Sequence, residues 1–177
     1  MIAAALWAWS GFSLGVLGAV LLMMIVELRV SLVNERTYRR LGAVDVADPV
    51  YRVMRVAYPG CFIVMAMEGL VTARVPDALA YVGGGVFVLS KALKVWAIRS
   101  LGHRWTYRVL ILPGAALVTS GPYLRMRHPN YVAVVGELIG MALMMRALYT
   151  GPPATLLFVT LLWWRIAAEE RALGLRH

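Results

Sequence analysis

Charged residues are scarce in this chain. Asp, Glu, Lys and Arg together make up 15% of the 177 residues, whereas about 25% is usual for soluble domains. Hydrophobic residues reach 61%, and the mean hydropathy is +0.73. An ordinary soluble domain is thereby excluded. The composition predicts an all-α integral membrane bundle, because helices satisfy their own backbone hydrogen bonds in lipid.

Cysteine is almost absent as well. The single Cys61 lies in an apolar run, so a disulfide framework is excluded. We expect it to be a small buried hydrophobic residue. No metal site is predicted.

Acidic residues are half as frequent as basic ones, 9 against 18, which gives a formal net charge of +9. A basic balance can indicate nucleic-acid binding. Here the cations flank apolar segments and form no single exposed stripe, so nucleic acid is not a predicted partner. Attraction to anionic lipid head groups, or to a negatively charged substrate, fits this distribution better.

Five apolar segments predict five transmembrane helices, since a span needs about 20 apolar residues. The first segment has neither a basic n-region nor a clean cleavage site, so it is predicted to be retained. The last continues as an amphipathic helix through residue 175. We expect one domain over residues 1–177, with its cofactor-binding portion at residues 100–177. The segments are Met1–Val26, Val56–Val71, Ala78–Ile98, Asn130–Met145 and Ala154–Trp164.

The distribution of cations predicts an orientation. With five spans, sixteen of the 18 Lys and Arg residues belong to the side of the carboxyl end. Only Arg74 and Arg146 fall on the opposite side. Because loops rich in Lys and Arg stay in the cytoplasm, the amino end is predicted outside and the carboxyl end in the cytoplasm.

A few residues within the spans have their own expected roles. Lys91 and Lys94 are expected to extend their ammonium groups to the cytoplasmic surface. Glu68 could pair with Arg74 at the membrane–water interface, or it could have a functional role. The three glycines Gly83–Gly85 would allow a neighbouring helix to approach closely.

One polar stretch, Leu117–Tyr131, interrupts the apolar sequence and reads LVTSGPYLRMRHPNY. Gly and Pro leave some backbone N–H and C=O groups without helical hydrogen bonds, and such groups cannot face lipid. This stretch must therefore lie in water or line a polar cavity. The predicted topology puts it on the same side as Arg165–Glu170. We therefore predict that the two stretches are the two halves of one site.

The residue types of this site are compatible with an adenosyl sulfonium cofactor. Glu169 would bind its ammonium group, and His128 with the N–H groups of a helix start would bind its carboxylate. The sulfonium is attracted to an aromatic face, either Tyr123 or Tyr131. Its adenine would lie against Ala115–Val118.

The same residues also allow a purely structural interpretation. His128 could cap a helix or bond a carbonyl group. Arg165 and Glu169, four residues apart on one helix face, could form a surface ion pair.

The residues Leu117–Tyr123, then Arg127–Tyr131, then Arg165 with Glu169 and Glu170, resemble the isoprenylcysteine carboxyl methyltransferase family. The resemblance implies an integral membrane methyltransferase that uses S-adenosyl-L-methionine. Arg165 would face the substrate at the methyl-transfer centre. The cofactor-binding residues implied are Ala115, Ala116, Leu117, Val118, Tyr123, His128, Pro129, Asn130, Tyr131 and Glu169.

The segments Glu27–Arg40 and Tyr51–Gly69 resemble a bacterial branch of this family, whose members O-methylate alkylpyrones or alkylresorcinols. This implies the bacterial inner membrane and a lipophilic substrate that enters from the bilayer. The predicted topology puts the active site on the cytoplasmic side. An anionic acceptor would need no strong base. A phenol would need one, and Glu137 is the nearest candidate; alternatively, Glu137 is a buried residue bonded to a neighbouring helix.

Other functions are compatible with these residues. A phospholipid N-methyltransferase or a related membrane reductase with a nicotinamide cofactor is one alternative. A non-enzymatic membrane subunit or a small transporter is another, and a continuous water path lined by Glu68 and Glu137 would favour transport.

Overall fold

The computed structural model describes residues 2–48, 50–72 and 76–174, without the side chains of residues 2–8. These residues form an all-α bundle, as predicted. Five α-helices are joined by loops that hold two short 3-10 turns and one pair of two-residue strands. The helices are α1 (Ile2–Arg40), α2 (Tyr51–Thr72), α3 (Ala78–Leu101), α4 (Pro129–Met144) and α5 (Gly151–Ala172), and the strands are β1 (Val44–Asp45) and β2 (Leu110–Ile111).

Helix length and composition identify the membrane-spanning part. Among the described residues, three helices are long and apolar enough to cross a membrane, namely α1, α2 and α3. Helix α4 is apolar but has only 16 residues. Helix α1, with 39 residues, is about 58 Å long. A hydrocarbon core of about 30 Å cannot contain it, so its charged carboxyl-terminal part extends beyond the membrane.

The strand pair connects two loops at one end of the bundle. Val44 of β1 pairs with Ile111 of β2 in antiparallel register. The loop after α1 is thereby tied to the loop after α3. From the end of α1, Asn34 donates hydrogen bonds to the carbonyl groups of Gly102 and Trp105 at 3.1 and 2.9 Å. These contacts fix the loop that precedes the polar stretch.

Helices α3 and α4 pack closely because glycines lie at their contact. A Cβ atom on Gly83 would come within 2.4 Å of the Met144 amide nitrogen, and one on Gly140 within 2.6 Å of the Phe87 amide nitrogen. The close approach predicted for the three glycines is confirmed at Gly83. It fixes the side chains that α3 directs towards α4.

Four charged side chains, which we call the charge cluster, lie among the helices: Glu27, Lys91, Lys94 and Glu137. Lys91 is partly buried, and the other three are buried. Lys91 lies 2.8 Å from a Glu27 oxygen and 2.9 Å from a Glu137 oxygen. Lys94, only 2% exposed, contacts the same two carboxylates at 2.8 and 3.4 Å. The prediction that these lysines reach the surface is wrong, because carboxylates on α1 and α4 bind them inside the bundle.

Glu68 binds the start of another helix. Its carboxylate accepts hydrogen bonds from the backbone amides of Tyr149 and Thr150 at 3.0 and 2.7 Å, and from the Thr150 hydroxyl at 2.7 Å. Arg74, the predicted partner, lies outside the described residues. Since the first amides of a helix have no partner within it, Glu68 of α2 acts as a cap for α5.

We expect Glu68→Ala to lower the free energy of unfolding by about 1–2 kcal/mol, which is the usual cost of a lost helix cap. Glu68→Gln keeps an oxygen acceptor of the same length and should cost less. Thermal unfolding in detergent measures both variants. Equal stability of Glu68→Ala and the wild type would show that the cap contributes nothing.

Candidate active site

A cavity of about 780 Å³ opens at the end of the bundle where the strand pair lies. Its walls come from all five helices and from the loops between α3 and α4. Both predicted halves of the site contribute to one wall. The predicted site residues that line it are Ala115, Ala116, Leu117, Val118, Tyr123, His128, Asn130, Tyr131, Arg165 and Glu169.

Two predicted site residues are not among those that line this cavity. Pro129 is buried as the first residue of α4, where a proline fits because that position needs no intrahelical amide bond. Glu137 is 0% exposed. It accepts hydrogen bonds from Lys91 and from the Tyr58 hydroxyl at 2.9 and 2.5 Å. Its surroundings match the alternative of a buried residue bonded to neighbouring helices.

Tyr131 connects the two halves of the site. Its hydroxyl donates to the Glu169 Oε2 atom at 2.6 Å and accepts from the Arg165 Nε atom at 3.1 Å. The side chains of Arg165 and Glu169 share one face of α5, and the phenol from α4 lies between them. Both charged groups are thereby held towards the cavity.

His128 contacts α5 and does not cap its own helix. It occupies the residue before α4, but its side chain makes no capping hydrogen bond. Its Nε2 atom lies 3.2 Å from a Glu170 oxygen, and its Nδ1 atom 4.0 Å from Glu169 Oε2. Its ring stacks on Tyr131, with the centroids 5.4 Å apart. The two predicted halves are therefore joined by direct side-chain contacts.

Arg165 is buried, with 7% of its surface exposed, so it is not a surface ion pair. Its Nη2 atom donates to the Tyr107 carbonyl group. Its Nη1 atom lies 3.6 Å from an Asp48 oxygen and 3.9 Å from the Met54 sulfur. These contacts come from three different segments. They hold the guanidinium in one orientation at the cavity wall.

Sequence reasoning missed Asp48 and Tyr107. Asp48 accepts hydrogen bonds from the amides of Val50 and Tyr51, both at 3.1 Å, so it caps α2 while its other oxygen faces Arg165. An aspartate directly before a proline at a helix start is a capping signal that the sequence does contain. Nothing in the sequence marks Tyr107, which contributes through its backbone carbonyl.

The loop at the polar end of the cavity is held by side chains. Arg104 donates to the Ala116 carbonyl at 2.6 Å, and Trp105 donates from its indole to the Asn130 side-chain oxygen at 3.3 Å.

Burial, with the nearby Glu169 carboxylate, raises the pKa of the Tyr123 phenol. Tyr123 therefore stays neutral and keeps its hydrogen at physiological pH.

Another part of the cavity wall is apolar. It is lined by Leu21, Met24, Ile25 and Leu28 of α1. Two of these have substantial exposed surface, Ile25 at 53% and Leu28 at 38%. One cavity therefore joins a polar, charged wall to an apolar wall on α1, a helix that is long and apolar enough to cross a membrane.

The chain is similar to known proteins over most of its length. Residues 81–174 match the isoprenylcysteine carboxyl methyltransferase (ICMT) family. The uncharacterized protein YpbQ of Bacillus subtilis is 31% identical over 148 residues, which are 83% of this chain and 88% of that protein. An uncharacterized protein of Haemophilus influenzae is 24% identical over 156 residues, 88% of this chain and 91% of that protein. No solved structure matches the chain significantly. Its long apolar helices make this an integral membrane protein. The matched region shows that it belongs to the isoprenylcysteine carboxyl methyltransferase family, a family of methyltransferases.

Proposed function

We propose that this protein transfers a methyl group from S-adenosylmethionine to an oxygen atom of a lipophilic acceptor. One observation carries the proposal: the Tyr131 hydroxyl holds Glu169 and Arg165 side by side at the wall of one cavity. A carboxylate for a cationic cofactor thus lies beside a cation for an anionic acceptor. The apolar wall near α1 suits the acceptor's tail.

The residues at the polar end fit S-adenosylmethionine. The Glu169 side chain is 29% exposed, so its carboxylate can still receive an ammonium group. His128 lies beside it as a donor for a carboxylate, whereas the Tyr131 and Val132 amides of α4 already donate to the His128 carbonyl. Tyr131 already faces the His128 ring and the Arg165 guanidinium. This leaves Tyr123 as the better aromatic face for the sulfonium, with Ala115–Val118 beside the adenine.

When bound, S-adenosylmethionine supplies an electrophilic methyl group on a positively charged sulfur. The protein's own task is then to hold the acceptor oxygen in line. Positioning of this kind can supply about 7–11 kcal/mol of the barrier. Arg165 would hold an anionic oxygen by directed hydrogen bonds and keep it ionised. An acceptor that is already anionic needs no separate base.

The charges of the site support an oxygen acceptor over the alternatives. The buried Arg165 guanidinium would repel the cationic ammonium of a phospholipid head group. Glu169 and Glu170 would repel the diphosphate of a nicotinamide cofactor. Glu68 and Glu137 bind different helices and are not among the residues that line the cavity. They give no support to a water path for transport.

The finer assignments belong to the same proposal. The acceptor is a carboxylate or an acidic hydroxyl compound with a long apolar tail, in the chemical class of alkylpyrones or lipid acids. An alkylresorcinol is a phenol, so its methylation would also need a group that takes up the phenol proton. The tail enters from the bilayer beside α1. The cofactor enters from the cytoplasmic side of the bacterial inner membrane.

Methyl transfer to acceptors with matched chains tests this function. The detergent-purified protein is incubated with methyl-labelled S-adenosylmethionine and, separately, with hexadecanoic acid, 5-pentadecylresorcinol and hexadecylamine. We expect label in at least one oxygen acceptor and none in the amine, because Arg165 attracts anions. Label in the amine alone would indicate an N-methyltransferase. Absence of S-adenosylmethionine binding in a calorimetric titration would overturn the cofactor assignment.

A further inference from the structure

We propose that the charge cluster forms a second binding site in the same cavity, which recognises an uncharged oxygen of the acceptor, either a hydroxyl or a carbonyl. The inference rests on the proposed function and deepens it, because it assigns residues that select the acceptor's head group. The residues concerned are Glu27, Lys91, Lys94 and Glu137 of the charge cluster, together with Tyr58 and Tyr107.

Burying the charge cluster costs free energy, and this cost calls for a functional explanation. Lys94 is 2% exposed and Glu137 is 0% exposed, and both belong to apolar helices. Removing charges from water costs several kcal/mol per ion, and apolar residues packed in their place often give equal or greater stability. Buried ionisable groups inside a membrane bundle usually face a cavity or a partner that they serve.

The charge cluster meets the cavity through hydrogen-bond donors. Lys94, Tyr58 and Tyr107 line the cavity. Glu27 and Glu137 lie behind them and accept their hydrogens: Tyr58 donates to Glu137 at 2.5 Å and Tyr107 to Glu27 at 3.3 Å. The carboxylates thus orient an ammonium group and two phenols at one place on the wall.

The charges favour a neutral ligand at this place. Two lysines and two glutamates balance each other, so an added ion would remain without a counter-charge. Lys94 has three N–H donors. Two are directed to Glu27 and Glu137 at 2.8 and 3.4 Å, and the Tyr58 oxygen is a distant 3.5 Å away. One lysine donor and the phenol lone pairs therefore remain weakly used, which suits a hydroxyl or a carbonyl group.

The spacing connects this second site to Arg165. Arg165 touches Met54 at 3.9 Å. Tyr58 follows Met54 by four residues, which is about 6 Å along α2. Tyr107 also connects Arg165 to the charge cluster, because its carbonyl accepts a hydrogen bond from Arg165 and its hydroxyl donates one to Glu27. One compact head group could therefore place one oxygen at Arg165 and a second at Tyr58 and Lys94.

Equilibrium binding of two matched probes tests this inference without requiring turnover. 5-Pentadecylresorcinol and 3-pentadecylphenol share the tail and differ by one hydroxyl. Calorimetric titration of the detergent-solubilised protein should show about 10-fold tighter binding of the resorcinol, as expected for one hydrogen bond to a charge-supported donor. Tyr58→Phe, Tyr107→Phe and Lys94→Met should each reduce this preference and leave the affinity for the phenol nearly unchanged.

The matched control is Tyr81→Phe, which removes a phenol that is 74% exposed on α3 and should keep the full preference. Equal affinity of the wild type for both probes, or binding of neither, would overturn the inference. So would a preference that survives in all three variants. Titration of the same samples with S-adenosylmethionine separates the two proposals. Failure of that titration contradicts the cofactor assignment, whatever the probes show.

Discussion

Replacing Glu169 by glutamine should weaken S-adenosylmethionine binding by about 30-fold or more. Truncating one member of a hydrogen-bonded charge pair costs about 2–5 kcal/mol, and each 1.4 kcal/mol is tenfold in affinity. The amide can still accept the hydrogen that Tyr131 donates at 2.6 Å, so the local structure should persist. What is lost is the negative charge that would neutralise the cofactor's ammonium group.

Calorimetric titration of the detergent-solubilised protein measures this effect. The control is Glu35→Gln, because Glu35 belongs to α1, pairs with Arg39 at 3.0 Å and is not among the residues that line the cavity. It should bind the cofactor like the wild type. His128→Ala should give a smaller loss than Glu169→Gln, since it removes a hydrogen-bond partner and no fixed charge. An unchanged dissociation constant in Glu169→Gln would move the cofactor site elsewhere.

The helices were predictable because their signals are local. Long apolar runs indicate spans whatever they pack against, and Gly42, with φ of +93°, lies just beyond the end of α1 as a glycine end signal predicts. The lysines of α3 were not predictable in this way. Lys94 appears as a snorkelling residue within its own helix, and only the carboxylates on α1 and α4 make it a buried one.

The site was predictable in part, because the order of the apolar segments determines which polar stretches lie at the same end of the bundle. Topology alone brings Tyr131 and Glu169 to the same end of the bundle, and the structure joins them by a hydrogen bond. The partners of Arg165 could not be found by the same reasoning. Asp48 reaches it from a loop some 117 positions away in sequence, and Tyr107 uses a backbone atom that every residue possesses.

Replacing Arg165 by lysine should lower kcat by about 100- to 1000-fold, which is the usual effect of losing one donor that stabilises a developing or reacting charge. Lysine keeps the positive charge opposite Asp48. It cannot keep the fork that simultaneously bonds the Tyr107 carbonyl and the Tyr131 hydroxyl, because an ammonium group is compact and lacks that planar geometry. The acceptor oxygen would lose its directed partner and its alignment.

The dissociation constant of S-adenosylmethionine should change only a few-fold in Arg165→Lys, because Glu169 and His128 are intact. This combination distinguishes a residue that serves the acceptor from one that serves the cofactor. Arg171→Lys on the same helix is the control, since Arg171 is not among the residues that line the cavity. The kcat of this variant should match that of the wild type. Unchanged turnover with lost cofactor binding would instead assign Arg165 to the cofactor. In that case the cation that selects an anionic oxygen must be sought elsewhere on the cavity wall, where Lys94 is a second buried cation among the described residues.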